Sequence, residues 1–174
     1  SMKLQPYVLV LFFHVVVFPA CGISKNPSNL IIDRPENSKV KKEVKDNLSH
    51  YYITFEEKDN ELTIFQMPYP PSPVFISTFI ETFTESFKVE LNKQLEAMGL
   101  ELKSMKKKKV NFKGSTYKAQ GVVFHLSYSS PNEKSIEAIY IINDGEKMWQ
   151  VSFSGDEKHL GKTNQILKNL KNSK

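Results

Sequence analysis

Four histidines (His14, His50, His125 and His159), the single cysteine Cys21 and the neighbouring carboxylates Glu56-Glu57 and Glu81/Glu85 have the greatest capacity for chemistry in this chain. No two histidines stand three or four residues apart, the spacing that puts two ligands on one helix face. One cysteine excludes an intramolecular disulfide and a thiolate-based zinc site. No Gly-x-Ser-x-Gly elbow occurs, and 7 glycines leave little material for a phosphate-cradling loop. His125 falls within an alternating apolar segment and is expected to be a half-buried, hydrogen-bonded ring. Both carboxylate pairs read as solvated charge, one across a strand edge and one on a helix surface. The expectation is a protein with no catalytic set, no cofactor and no metal, hence not an enzyme.

The remaining chemistry is charge. Lys103, Lys106, Lys107, Lys108, Lys109 and Lys113 crowd one short stretch. Consecutive residues of a strand point to opposite faces, so these lysines cannot all lie over a core. An edge strand or hairpin end is implied. Lysines at an edge discourage pairing with another sheet, and they also form a candidate binding surface for anionic lipid, a polyanion or an acidic partner. The formal net charge is +5 and the pI about 9.1. Arg34 is the only arginine. Nucleic-acid readers lean on arginine for bidentate contacts, so composition argues against a nucleic-acid partner.

The elements that must carry these residues begin at residue 51. Tyr51–Phe55 and Leu62–Phe65, separated by Lys58-Asp59-Asn60, predict a β-hairpin. Pro68 to Pro73 then forbids regular structure. Val74 to Gly99 is the clearest helix. Phe75, Phe79, Phe83 and Phe87 recur every four residues and Leu91, Leu95 and Met98 continue the stripe. Ser72 or Ser77 caps its start, and Gly99 suits its end. Leu100–Val110 is a strand carrying the lysine run. Tyr117–Tyr128 alternates, with Val122, Phe124, Leu126 and Tyr128 on one face and Ala119, Gly121, Val123 and His125 on the other. Ser130-Pro131-Asn132-Glu133 is a turn. Ile136–Ile142, apolar on both faces, is expected to be central. Asn143-Asp144-Gly145 signals a hairpin into Met148–Phe153. A last helix runs from Gly155-Asp156 to about Lys171, burying Leu160, Ile166, Leu167 and Leu170. The fold class is therefore α+β, an antiparallel β-sheet covered by a long helix and a C-terminal helix.

The N-terminus reads as an address. Ser1, ahead of Met2, reads as an expression remnant. Met2-Lys3 supplies positive charge, and Tyr7–Phe18 is an apolar run of signal-peptide length, short for a bilayer span. Phe18-Pro19-Ala20-Cys21 follows and resembles the bacterial lipoprotein signal. That resemblance implies diacylglyceryl transfer to the Cys21 thiol, cleavage after Ala20, and residence in the bacterial cell envelope on a lipid-anchored membrane surface. Residues 21–48, polar and lysine-rich, read as the lipidated cysteine and a solvated tether, leaving 49–174 as one domain.

The order of elements resembles the PsbP-like superfamily, which includes extrinsic photosystem subunits and many small bacterial lipoproteins. The first hairpin, the proline-rich break, the helix Val74–Met98, Phe112-Lys113-Gly114-Ser115-Thr116-Tyr117 and the strand Lys147–Ser154 before a closing helix carry the likeness. It implies an α/β/α sandwich and a non-catalytic accessory or assembly module with a protein partner in the envelope.

Overall fold

The computed structural model describes residues 26–114, 116–129 and 134–173. Cys21, the expected signal segment 1–20 and the turn expected at 130–133 lie outside the described residues. Two helices and two antiparallel sheets make up the rest, so the class is α+β as expected. In chain order the elements are β1 (Leu30–Ile31), β2 (Ser38–Lys45), β3 (Leu48–Phe55), β4 (Glu61–Gln66), a long helix (Pro73–Ala97), β5 (Leu102–Lys113), β6 (Lys118–Tyr128), β7 (Lys134–Asn143), β8 (Met148–Gly155), a closing helix (Glu157–Lys168) and β9 (Lys171–Asn172). The main sheet has the order β2-β3-β4-β8-β7-β6-β5, and β1 pairs with β9 in a separate ribbon.

Each face of the main sheet has its own core. On one face Ile80, Phe83, Phe87, Leu91 and Leu95 of the long helix meet Val122, Phe124 and Leu126 of β6 and Ile139 and Ile141 of β7. The four-residue spacing of the phenylalanines produces this stripe, because a helix returns to the same face after about one turn. Phe87 stacks on Phe124 with ring centroids 4.5 Å apart. Ser72 caps the helix by accepting the Phe75 N–H, Pro73 occupies the first turn, and Gly99 (φ 69°) lets the chain turn away after it. On the other face Leu160, Ile166, Leu167 and Leu170 pack with Tyr51, Ile53, Leu62, Ile64, Trp149, Val151 and Phe153. β6 alternates between the two cores in the expected register. β8 is buried along nearly its whole length, although Gln150, Ser152 and Ser154 alternate in its sequence with Trp149, Val151 and Phe153.

The expected tether is corrected. From residue 30 the segment 21–48 forms β1 and β2 and enters β3, and β2 pairs residue for residue with β3 from Ser38↔Phe55 to Lys45↔Leu48. β2 is an edge strand, so backbone pairing to a single neighbour suffices and little apolar material is needed. Val40 and Val44 remain 36% and 51% exposed. Its lysines disguised it as solvated linker.

Gln66, at the end of β4, holds the segment before β1 in place. Its side-chain oxygen accepts the Ser28 N–H at 2.9 Å and the Ser49 N–H at 3.1 Å, and its amide donates to the Asn26 carbonyl at 3.1 Å. Only 2% of Gln66 is exposed. Replacing Gln66 with Ala orphans two N–H groups, each worth about 1–3 kcal/mol when buried and unpaired. Gln66→Ala should therefore lower the urea midpoint and speed deuterium exchange at the Ser28 and Ser49 amides. Unchanged exchange at both would show that the glutamine does not hold this segment.

Candidate functional site

β5 lies at the edge of the sheet, paired to β6 alone, so the lysine-bearing strand is where the sequence placed it. Register divides the lysines. Lys106 and Lys108, opposite His125 and Val123, share the face of the closing helix. Lys107 and Lys109, opposite Phe124 and Val122, share the face of the long helix. Lys103 sits beside the bulge between Leu102 and Ser104, and Lys113 ends the strand opposite Lys118. All six are exposed. Met105, Val110 and Phe112, partly buried between them, attach the strand to the two cores. No Asp or Glu occurs between Leu102 and Tyr128, and no ion pair among the described residues involves these six lysines. The result is a strip of positive charge on both sides of an edge whose outward backbone groups have no strand partner. The opposite edge, β2, also carries lysines, but there Glu43 sits between Lys41 and Lys45 at 2.5 and 3.0 Å.

His125 is half-exposed and its Nε2 lies 3.1 Å from Glu157, a surface pair between β6 and the closing helix. His159 is a different case. Its side chain is 1% exposed, its Nδ1 is 2.6 Å from Asp156 and its Nε2 is 3.7 Å from Glu57. Asp156 caps the closing helix, accepting the His159 N–H at 2.9 Å. Partial burial would raise the Asp156 pKa. The bonds from the His159 backbone and ring outweigh that and hold it below the usual carboxylate value. Glu57 is also held low, by the Lys158 ammonium 2.8 Å away. Glu57, Asp156 and His159 offer ligand atoms within 4.8 Å of one another. Asp156 already takes Nδ1, which leaves Nε2 and Glu57 facing any ion, two ligands short of a closed tetrahedral site. The cluster acts as a staple between the β3–β4 turn and the closing helix. Sequence reasoning assigned Glu57 to solvated charge and did not connect His159 with it. The Asp156-x-x-His159 spacing at a helix start was the available signal. Asp156→Ala removes the cap and should cost about 0.5–2 kcal/mol in urea unfolding; a loss within error would reduce the pair to a surface contact.

A buried polar row escaped the sequence reading as well. Glu137 on β7 and Ser154, Ser152 and Gln150 on β8 lie on the long-helix face, just beyond the phenylalanine stripe. Ser154 Oγ donates to Glu137 Oε1 at 2.7 Å, and Glu137 Oε2 has no partner among the described residues. Burial pushes the Glu137 carboxyl up to about 8, with the Ser154 bond opposing it. The signal was present, since Glu137 interrupts an otherwise apolar run. A cavity of about 10 Å³ lies at the other end of β7 and β8, bordered by Leu30, Tyr117, Trp149 and Leu170. It has room for about one water and for no organic ligand.

No protein-family model matches this chain, and no curated protein is similar to it.

The folded state keeps the Glu137 proton from the ordinary value of 4.5 up to about 8, whereas the unfolded chain loses it near 4.5. The folded protein thus binds more protons across that window, so stability falls as pH rises through it and levels off above about 8. Glu137→Gln, neutral at every pH, should flatten this slope when urea midpoints are compared from pH 5 to 9. An identical slope in the variant would assign it to other groups.

Proposed function

We propose that this chain is a non-catalytic lipoprotein of the bacterial cell envelope, exported and held at a membrane surface through Cys21, whose domain binds an acidic protein partner along β5. The observation that carries the reading is the lysine edge, six exposed lysines on both faces of a strand that is paired on one side only, with no acidic residue among them. An extended acidic segment laid along such an edge gains backbone hydrogen bonds from the strand and charge complementarity from the lysines. The accessory role implied by the PsbP-like resemblance fits the same reading. The hydrogen-bonded histidines His125 and His159 face carboxylates, a pairing that orients a ring but supplies no nucleophile. The same lysines fit a second reading, in which the edge binds anionic lipid or another polyanion directly.

Zero-length carbodiimide cross-linking joins carboxylates to lysines and tests the edge directly. Applied to membranes carrying the full-length lipidated protein, it should give one stoichiometric protein adduct mapping to Lys106–Lys109. That adduct should be lost when all four are changed to Gln. Adducts that map elsewhere would overturn the edge as the docking site. Salt-sensitive binding of the domain to anionic vesicles, lost in the same variant and without a protein adduct, would establish the second reading instead.

A further inference from the structure

Gln66 holds the N-terminal segment at one end of the sheet. Asn26 and Ser28 are hydrogen-bonded to Gln66, Lys147 Nζ donates to Ser28 Oγ, and Leu30 N–H donates to the Tyr51 hydroxyl at 2.9 Å. Asn26, the first described residue, is therefore fixed beside the end of β4 and the start of β8. Cys21 is five residues earlier. Five residues span at most about 18 Å even when fully extended. A lipid on Cys21 cannot let the domain range freely, as a tether reaching to residue 48 would have done.

Gln66 pairs with Trp149, Asn143 with Met148, Lys118 with Asn143 and Lys113 with Lys118, so one end of the sheet runs from β4 across to β5. Gly114, Thr116 and Tyr117, the turn from Asp144 to Lys147, and β9 gather at this end around Leu30 and Trp149. They present the exposed Lys113, Lys118 and Lys171, while Lys147 is half-buried with its ammonium turned to Ser28. Asp144 and Glu146 share the end, where the lysines outnumber them; one Asp144 oxygen accepts the Glu146 and Lys147 N–H groups and the other the Asn172 amide. Lys103, by contrast, lies at the far end of β5 beside Tyr128. Ten residues of strand separate Lys103 from Lys113, about 33 Å, several times the Debye length at physiological salt.

We infer that the domain stands on an anionic phospholipid surface with the Lys113, Lys118 and Lys171 end toward the headgroups, so that the distal part of β5 projects away from the membrane. This rests on the lipid-anchor reading of Cys21. It also separates the two uses of lysine along one strand: the proximal lysines meet lipid, and Lys103 and its neighbours face outward toward a partner.

Nitroxide labels on the full-length lipidated protein test the orientation. Lys118→Cys, Lys171→Cys and Lys103→Cys are labelled singly, the Cys21 thiol being blocked by its lipid. Each is reconstituted in vesicles of phosphatidylglycerol and phosphatidylcholine doped with a nickel-chelating lipid. Relaxation by headgroup nickel should be at least several-fold stronger at positions 118 and 171 than at 103. Equal or reversed relaxation in a chain whose intact mass shows the Cys21 lipid overturns the orientation while leaving the anchor intact. A contrast unchanged in phosphatidylcholine vesicles overturns the lysine contact. An unlipidated chain recovered from bacterial membranes overturns the anchor reading, and the orientation with it.

Discussion

The constraint on which this molecule depends is that the middle of its sheet must be hidden on both faces. Ile139 and Ile141 of β7 lie on one face, Trp149, Val151 and Phe153 of β8 on the other, and all are essentially inaccessible to water. An antiparallel sheet can leave one face wet, but here that would expose one of two apolar cores. A helix is therefore needed on each side, and the chain supplies them at different points: the phenylalanine-striped long helix between β4 and β5, and the shorter closing helix after β8. Burying Phe79, Phe83 and Phe87 contributes about 1.5–3 kcal/mol each, enough to make that stripe the main clamp on its face.

A long helix covers only a band of a seven-stranded sheet. Where the apolar band ends, β7 and β8 change character on that face and present Glu137, Ser154, Ser152 and Gln150. A carboxyl in such a place avoids the cost of a buried charge by keeping its proton. The polar row is thus a boundary between packed and unpacked sheet, and its cost is set by pH. On the opposite face Asp156 and His159 deal with buried polarity differently, by direct pairing at the start of the closing helix.

The two edges of the sheet answer a separate demand. Every interior strand satisfies its backbone on both sides, while β2 and β5 each leave one side open. Lysine is abundant in both, which protects against indiscriminate pairing. The edges differ in what surrounds the charge. Glu43 offsets Lys41 and Lys45 on β2, whereas nothing acidic lies in β5 or β6. Protection and recognition use the same lysines, and β5, with six lysines and no acid, carries more uncompensated charge than β2, with four lysines and one glutamate.

The amino-acid sequence by itself determined the elements with strong periodicity. The long helix, the β3–β4 hairpin, the alternating faces of β6 and the turn at Asn143-Asp144-Gly145 are local patterns, carried by spacing that survives without knowledge of neighbours. It also implied that the lysine strand is an edge or a hairpin end, because consecutive charges on both faces cannot all lie over a core. Tertiary structure alone decided the rest. β2 has too little apolar content to announce itself and exists because β3 offers a backbone to pair with. The Glu57, Asp156 and His159 cluster joins residues about a hundred positions apart, and the hold of Gln66 on Asn26 and Ser28 spans some forty. Such contacts depend on which strands become neighbours, and strand order is a long-range outcome of packing that no local pattern encodes.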